Sequence, residues 1–208
     1  MKSWHTPLVA LTVLVLLAWP GRGAAAEIAG SVLAVGGDCQ RESGGQRQSL
    51  KIKDAVHVGD TVVIPDNGKL KLHMVDGSVL SAAAGTTLTI AAYATDAASG
   101  QRDARLTLTN GLLRSVVQSM AGPSRFEVTA ATAVAAVRST DWFIEASPEV
   151  TRVGVLAGVV GLSARASGNS VEIPKSYGAR VEAGRDPIPP RPWTTEEFDE
   201  YIKKTTLP

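Results

Sequence analysis

The sequence predicts an all-β domain of many short strands. Three observations point there. Apolar and polar residues alternate over short runs, as in Leu70-Lys71-Leu72-His73-Met74 and Arg125-Phe126-Glu127-Val128, which is the period of a half-buried strand. Tight-turn dipeptides, Asp76-Gly77 and Asn110-Gly111 among them, punctuate those runs. Val, Ala, Thr and Gly are plentiful while aromatics make up only 5 %, a composition suited to short strands and turns rather than long helices. A chain of 208 residues implies one domain by default.

Taken in order, residues 1–26 read as a leader. Lys2 and His5 precede a continuous apolar run from Pro7 to Trp19, Pro20-Gly21 breaks it, and Ala24-Ala25-Ala26 supplies small residues for cleavage. The run is shorter than the roughly 20 residues of a spanning helix. It reads as a cleavable secretory signal cut near Ala26, with an uncleaved anchor as the alternative. The mature chain then carries no transmembrane helix, 19 basic residues and 20 acidic ones. No block of basic charge appears, which disfavours nucleic acid as a partner.

Residues 27–184 form the expected β domain. Ile28 to Val35 starts it, Gly36-Gly37-Asp38 ends the first strand, and Cys39 to Gln48 reads as an exposed loop around Gly44-Gly45. Gly59-Asp60 leads into Thr61-Val62-Val63-Ile64, and Pro65-Asp66-Asn67-Gly68 is a second turn. Three units then look alike: an apolar strand, a turn ending in Gly, a second strand. They turn at Asp76-Gly77, at Asn110-Gly111 and at Ala157-Gly158. This is a loose internal repeat, too irregular for a long solenoid of fixed period. Thr86 to Ala92 adds a strand, Thr95 to Asp103 reads as a surface loop, and Val171-Glu172-Ile173 and Ala179-Arg180-Val181 close the domain.

Residues 185–193 are a Pro-rich extended linker. Residues 194–208 form a short helical tail, opened by the capping-box spacing of Thr194 and Glu197, with Phe198, Tyr201 and Ile202 on one side. A lone helix this short is marginal in water, so it is expected to pack on the domain, the alternative being a partner.

The most distinctive string is Arg138-Ser139-Thr140-Asp141-Trp142-Phe143-Ile144. Trp142, Ile144 and Ala146 fall on one strand face, Phe143 and Glu145 on the other. Trp142 is expected in the core. Arg138 and Asp141 read as a local ion pair holding the corner, or else as a contact for a partner or an anionic ligand. Asp76-Gly77-Ser78 offers a nucleophile only if a base accompanies it, and a turn explains it without one. His57 and His73 are the only mature histidines and Cys39 the only cysteine, with no HxH, HExxH or CxxC spacing. No metal, cofactor or catalytic residue is therefore expected, and Cys39 reads as a free, inert thiol.

The order of these signals resembles the FecR-type periplasmic domain. The elements that carry the resemblance are Val58-Gly59-Asp60, Asp76-Gly77-Ser78, Leu106-Thr107-Leu108 with Asn110-Gly111, Phe126-Glu127-Val128, the Arg138 to Ile144 corner, and Val153-Gly154-Val155 with Gly158. Ser139 stands where that family usually has Gly, Trp142 where it has Phe, and Ala157 where it often has Glu. The resemblance implies a compact, twisted β-solenoid-like domain, with a β-sandwich as the alternative. It implies a non-enzymatic periplasmic binding or scaffold role, linked in signalling members to an outer-membrane receptor. The expected partner is another envelope protein, the alternative a cell-wall or capsular glycan.

Overall fold

The structure, a computed structural model, describes residues 26–207. The leader expected at residues 1–26 lies, apart from Ala26, outside them. Along the chain the strands are β1 Ile28–Gly36, β2 Gln40–Ser43, β3 Gln46–Ser49, β4 Ala55–His57, β5 Thr61–Val63, β6 Lys69–Met74, β7 Val79–Ala82 and β8 Thr87–Asp96. Then follow β9 Gln101–Val117, β10 Ser124–Thr129, β11 Ala133–Val137, β12 Thr140–Ala146, β13 Val150–Ala157, β14 Val159–Ala164, β15 Ser170–Pro174, β16 Tyr177–Glu182 and β17 Arg191–Pro192, before helix α1 Thr195–Thr205. Among the described residues the protein is all-β with one C-terminal helix.

The strands pair in two ladders that share β9. Sheet A runs β4-β1-β6-β7-β9-β12-β13-β16-β17, antiparallel throughout. Sheet B runs β3-β2-β5-β8-β9-β10-β11-β14-β15 and is antiparallel except at β9–β10. The first half of β9 belongs to sheet B and the second half to sheet A. The chain passes repeatedly from one sheet to the other, so inward residues of both build a single core. Leu70, Leu72, Leu80 and Trp142 come from sheet A, and Val62, Leu88, Ile90, Leu106 and Phe126 from sheet B. Alternation along strands such as β6 and β10 supplies this apolar face.

Several expectations change here. Asn110-Gly111 and Ala157-Gly158, read as turns, do not join paired strands. Each is a corner where the chain changes sheet: inside β9 for Gly111, between β13 and β14 for Gly158. Both glycines have positive φ, +98° and +87°, a conformation costly for a residue with a Cβ. A Cβ on Gly111 would lie 2.5 Å from Thr86 Cα, and one on Gly158 would lie 2.6 Å from the Ser139 carbonyl oxygen. Only Asp76-Gly77 closes a true hairpin, between β6 and β7. The stretch Cys39 to Gln48, expected as a loop, contains the β2–β3 hairpin turning at Gly44-Gly45. Thr95 to Asp103, also expected as a loop, is the end of the β8–β9 hairpin. In both, polar residues on an outward or edge strand hide the strand period from a sequence reading.

The Pro-rich stretch is more than a spacer, because Arg191–Pro192 pairs with β16. The tail packs on the outer face of sheet A. Phe198 joins Ala83, Leu112 and Phe143 in a second apolar cluster, with Leu156, Trp193, Tyr201 and Ile202 against it. The capping box at Thr194 and Glu197 is formed. At the other end Lys69 Nζ donates to the carbonyls of Lys203 and Thr206, both at 2.9 Å, which satisfies last-turn acceptors.

Candidate functional site

The distinctive corner starts at the end of β11. The Arg138 side chain is exposed, and its expected ion pair with Asp141 does not form. Asp141 instead receives a bidentate pair from Arg114 on the adjacent strand, Nε at 2.9 Å and Nη2 at 2.8 Å. The register explains this: Asp141 lies opposite Val116 on β9, and Phe143 opposite Arg114. Arg114 therefore reaches Asp141 diagonally while its guanidinium lies 5.4 Å from the Phe143 ring centre. Arg138 and Asp141 are three residues apart across a corner, where no strand face is shared. Ser139 does not adopt positive φ; Lys53 and Ser176 are the non-glycine residues that do among those described.

Thr140, 4 % exposed, donates its hydroxyl to the Val159 carbonyl at 3.3 Å and so ties the corner to Gly158. Buried Thr86 does the same at Gly111, accepting from Leu112 N–H at 3.1 Å and donating to Leu112 carbonyl at 3.2 Å. Two of the three units of the loose repeat thus share a physical device, a corner glycine beside a buried threonine, while the first closes through Asp76 and Ser78. Trp142 and Ile144 are fully buried. Trp142 Nε1 and Ser115 Oγ, on directly paired residues, have no hydrogen-bond partner within the protein.

Asp76 is the centre of a buried network. Its Oδ1 accepts from Ser78 N–H at 2.9 Å and from Tyr93 hydroxyl at 2.8 Å. Its Oδ2 accepts from Ser78 Oγ and from Arg102 Nη1, each at 2.7 Å. Arg102 also donates to the carbonyls of Gln118 and Arg138 and to Ser124 Oγ, at 3.0, 2.8 and 2.7 Å. The Asp76 and Arg102 side chains are both fully buried. Burial alone would raise the Asp76 carboxyl, but Arg102 and the Ser78 and Tyr93 donors outweigh it and hold it below the ordinary carboxylate range. Burial and the adjacent carboxylate push the Tyr93 phenol well up. The Asp-Gly-Ser turn is therefore joined through Arg102 to the backbone of the Arg138 corner, 36 residues away from Arg102 in sequence. The Ser78 hydroxyl is committed to Asp76 and to Gln118 N–H, at 3.1 Å.

Of the other turn positions, Gly59 has positive φ and its N–H donates to Ile90 carbonyl at 2.8 Å. The buried Asp60 carboxylate accepts from His57 N–H at 2.8 Å and from Arg41 at 3.4 Å. Asn110 Nδ2 donates to Gly85 carbonyl at 3.0 Å. Arg102, Arg114, Thr86 and Tyr93 were not singled out by the sequence reading. Arg102 had one usable signal: it occupies an inward position in the alternation Arg102, Ala104, Leu106, Leu108, so it needed a buried acceptor.

A surface groove and a buried thiol complete the description. A groove of about 320 Å³ lies between the tail and sheet A, lined in part by Arg152, Arg180, Arg191, Trp193, Glu197 and Tyr201. Trp193 lies against the cross-strand glycine pair Gly154 and Gly178, where a Cβ would come within 2.3 and 2.0 Å of its ring, and Phe198 and Tyr201 pack on it at 5.2 and 5.1 Å. Cys39 is buried and free, and burial pushes its thiol up, the direction of low reactivity. Among the described residues no group of three or more His, Cys, Asp or Glu could hold a metal. No helix among them is long and apolar enough to cross a membrane.

A two-ladder β domain with glycine corners and a buried carboxylate–guanidinium hub is thus the class of protein defined by the geometry. Residues 60–161 match the family described as FecR protein. This stretch contains the hub, the Arg138 to Ile144 corner and Gly158, but not the tail. Two crystal structures of a "putative anti-sigma factor from Parabacteroides distasonis ATCC 8503", at 1.65 Å and 2.50 Å resolution, are similar in fold, each with a TM-score of 0.55 and 16 % identity. The alignments cover 68 % of this chain and 64 % and 63 % of those chains, so this chain spans under two thirds of their length. No curated protein matches it.

Proposed function

We propose that the chain is a non-enzymatic protein-binding or scaffold domain of the bacterial periplasm, acting in cell-surface signalling and engaging another envelope protein. The FecR match at residues 60–161 carries this reading. The solved relatives described as an anti-sigma factor agree with a regulatory role. In this reading residues 1–26 are a signal removed near Ala26, residues 27–184 form the β domain, and residues 185–193 and 194–208 form a strap on its surface. The Arg138 backbone and the side chains of Thr140, Asp141, Trp142 and Ile144 hold the fold rather than touch the partner. Their contacts support that assignment: a carbonyl, a hydroxyl, a carboxylate and two buried side chains are all satisfied or enclosed inside the domain.

The glycan alternative has little to stand on. Trp142 is fully buried, and half-buried Trp193 is occupied by the glycine pair and two aromatic rings, which leaves little ring face for a sugar. The test is photo-cross-linking in living cells, with the probe placed at exposed positions on the outer face of sheet B such as Ala136. One discrete envelope protein cross-linked to a periplasmic, processed chain is the expected result. A chain that stays in the cytoplasm, or cross-links to no envelope protein from any face, would overturn the reading.

A further inference from the structure

Two local irregularities meet beside β1. Asp54 N–H donates to Lys51 carbonyl at 3.0 Å, and Lys51 N–H donates to Asp54 Oδ2 at 2.8 Å, closing a tight turn with Ile52 and Lys53 at its tip. Lys53 has φ +74°, a conformation that disfavours a residue with a Cβ. Lys53 N–H donates to Val32 carbonyl, and Val32 N–H to Asp54 carbonyl, each at 2.9 Å, so the turn is fixed against β1. At that point the β1–β6 register shifts between Val32 and Ala34, a bulge at Leu33. The result is two aliphatic side chains in solvent, Leu33 at 50 % and Ile52 at 58 % exposure, each next in sequence to a residue of the Lys53–Val32 backbone bond. A strained turn and a bulge that both turn aliphatic side chains toward solvent call for a reason beyond folding.

The charges around them are lysines without an ion-pair partner. Among the described residues Lys51, Lys53 and Lys71 form no ion pair, a state they share with Lys69, Lys175 and Lys203 but not with Lys204. Lys51 and Lys53 flank Ile52, and Lys71 pairs with Ala34 beside the bulge. The acid of the turn, Asp54, spends one oxygen on Lys51 N–H. Protein interfaces are depleted in lysine and favour aromatics and arginine. A convex aliphatic tip with long-stemmed lysines suits a lipid surface, where the stems bury and each charge is attracted to anionic headgroups.

We propose that the Lys51–Asp54 turn and the Leu33 bulge form a wedge that docks reversibly on an anionic lipid bilayer. This does not depend on the protein partner proposed above. The wedge lies outside residues 60–161.

The test labels Ile52→Cys with an environment-sensitive fluorophore in the full chain; native Cys39 is buried and escapes the reagent. The same dye at Ala166→Cys, in the exposed turn beside the far edge of sheet B, is the control. Vesicles of phosphatidylcholine with phosphatidylglycerol should shift the dye at position 52 to the blue and leave position 166 unchanged. Phosphatidylcholine alone should shift neither. Lys51→Glu with Lys53→Glu should weaken the response more than about tenfold, at roughly 1 kcal/mol per charge near the surface. The readout is local to the dye, so binding by any other segment does not imitate it. No shift at position 52, an equal shift at 166, an equal shift with neutral vesicles, or indifference to charge reversal would each overturn the proposal.

Discussion

The two sheets share a core but differ on their outer faces. Sheet A turns Leu112, Phe143 and Leu156 outward, and a third layer covers them: Trp193, Phe198, Tyr201 and Ile202 of the strap. Sheet B turns outward a row in which Thr61, Thr89, Thr107 and Thr129 lie in register, continued by Val134, Ser163 and Ser170. Hydroxyls can bond to one another or to water, as Thr61 and Thr89 do at 2.8 Å, so this face needs no cover. The outward residue types, and not the strand pairing, decide where the chain must add a layer.

The largest expected effects lie in the shared interior. Arg102→Ala leaves the Asp76 carboxylate buried without its cation and should cost about 3–5 kcal/mol in denaturant unfolding. Trp142→Ala should cost a similar amount, about 3–5 kcal/mol, whereas Arg138→Ala should leave the midpoint unchanged. Equal midpoints for the wild type and the Trp142 variant would contradict the core assignment.

The strap comes next. Phe198→Ala should cost about 2 kcal/mol, the burial of one aromatic side chain at an edge. Gly178→Ala places a Cβ where the Trp193 ring lies and should cost about 1–3 kcal/mol. It should also shift the tryptophan emission to the red, since Trp142 stays buried. An unchanged spectrum would mean that the strap does not rest on the glycine pair. On the other face, Thr89→Ala should cost under about 1 kcal/mol, the scale of a cross-strand pair.

Acid distinguishes interior from surface. The Asp76 carboxyl is held below its ordinary range, so the folded state binds fewer protons there than the unfolded state. Stability from this group is complete above about pH 4, the unfolded carboxylate value. It is lost as pH falls further, through the folded value. The Asp76→Asn variant should be less stable at pH 7 and show a shallower loss between about pH 4 and pH 2. An identical slope would place the acid sensitivity elsewhere.

Much of the interior could be read from the sequence because alternation is local. Leu70 to Met74, Phe126 to Val128 and Trp142 to Ile144 lie in strands where the two-residue period puts them. Corners were harder. Asn110-Gly111 carries a hairpin signal, yet Gly111 serves as a bend inside one 17-residue strand, because Thr86 from β8 captures the backbone of Leu112. Ion pairs were harder still. Asp141 takes Arg114 rather than Arg138 because partners in a sheet are set by register between distant strands. Phe143 looked like an outward residue and is one, but the strap that buries it comes more than fifty residues later.

The central claim is that the Asp76-Gly77-Ser78 turn and the Arg138 corner form one structural unit through Arg102. A double-mutant cycle of Asp76→Ala and Arg102→Ala, read by equilibrium unfolding, tests it most directly. The account predicts that the double variant loses at least about 2 kcal/mol less than the sum of the two single losses. Additive losses, with a coupling within about 0.5 kcal/mol of zero, would contradict it.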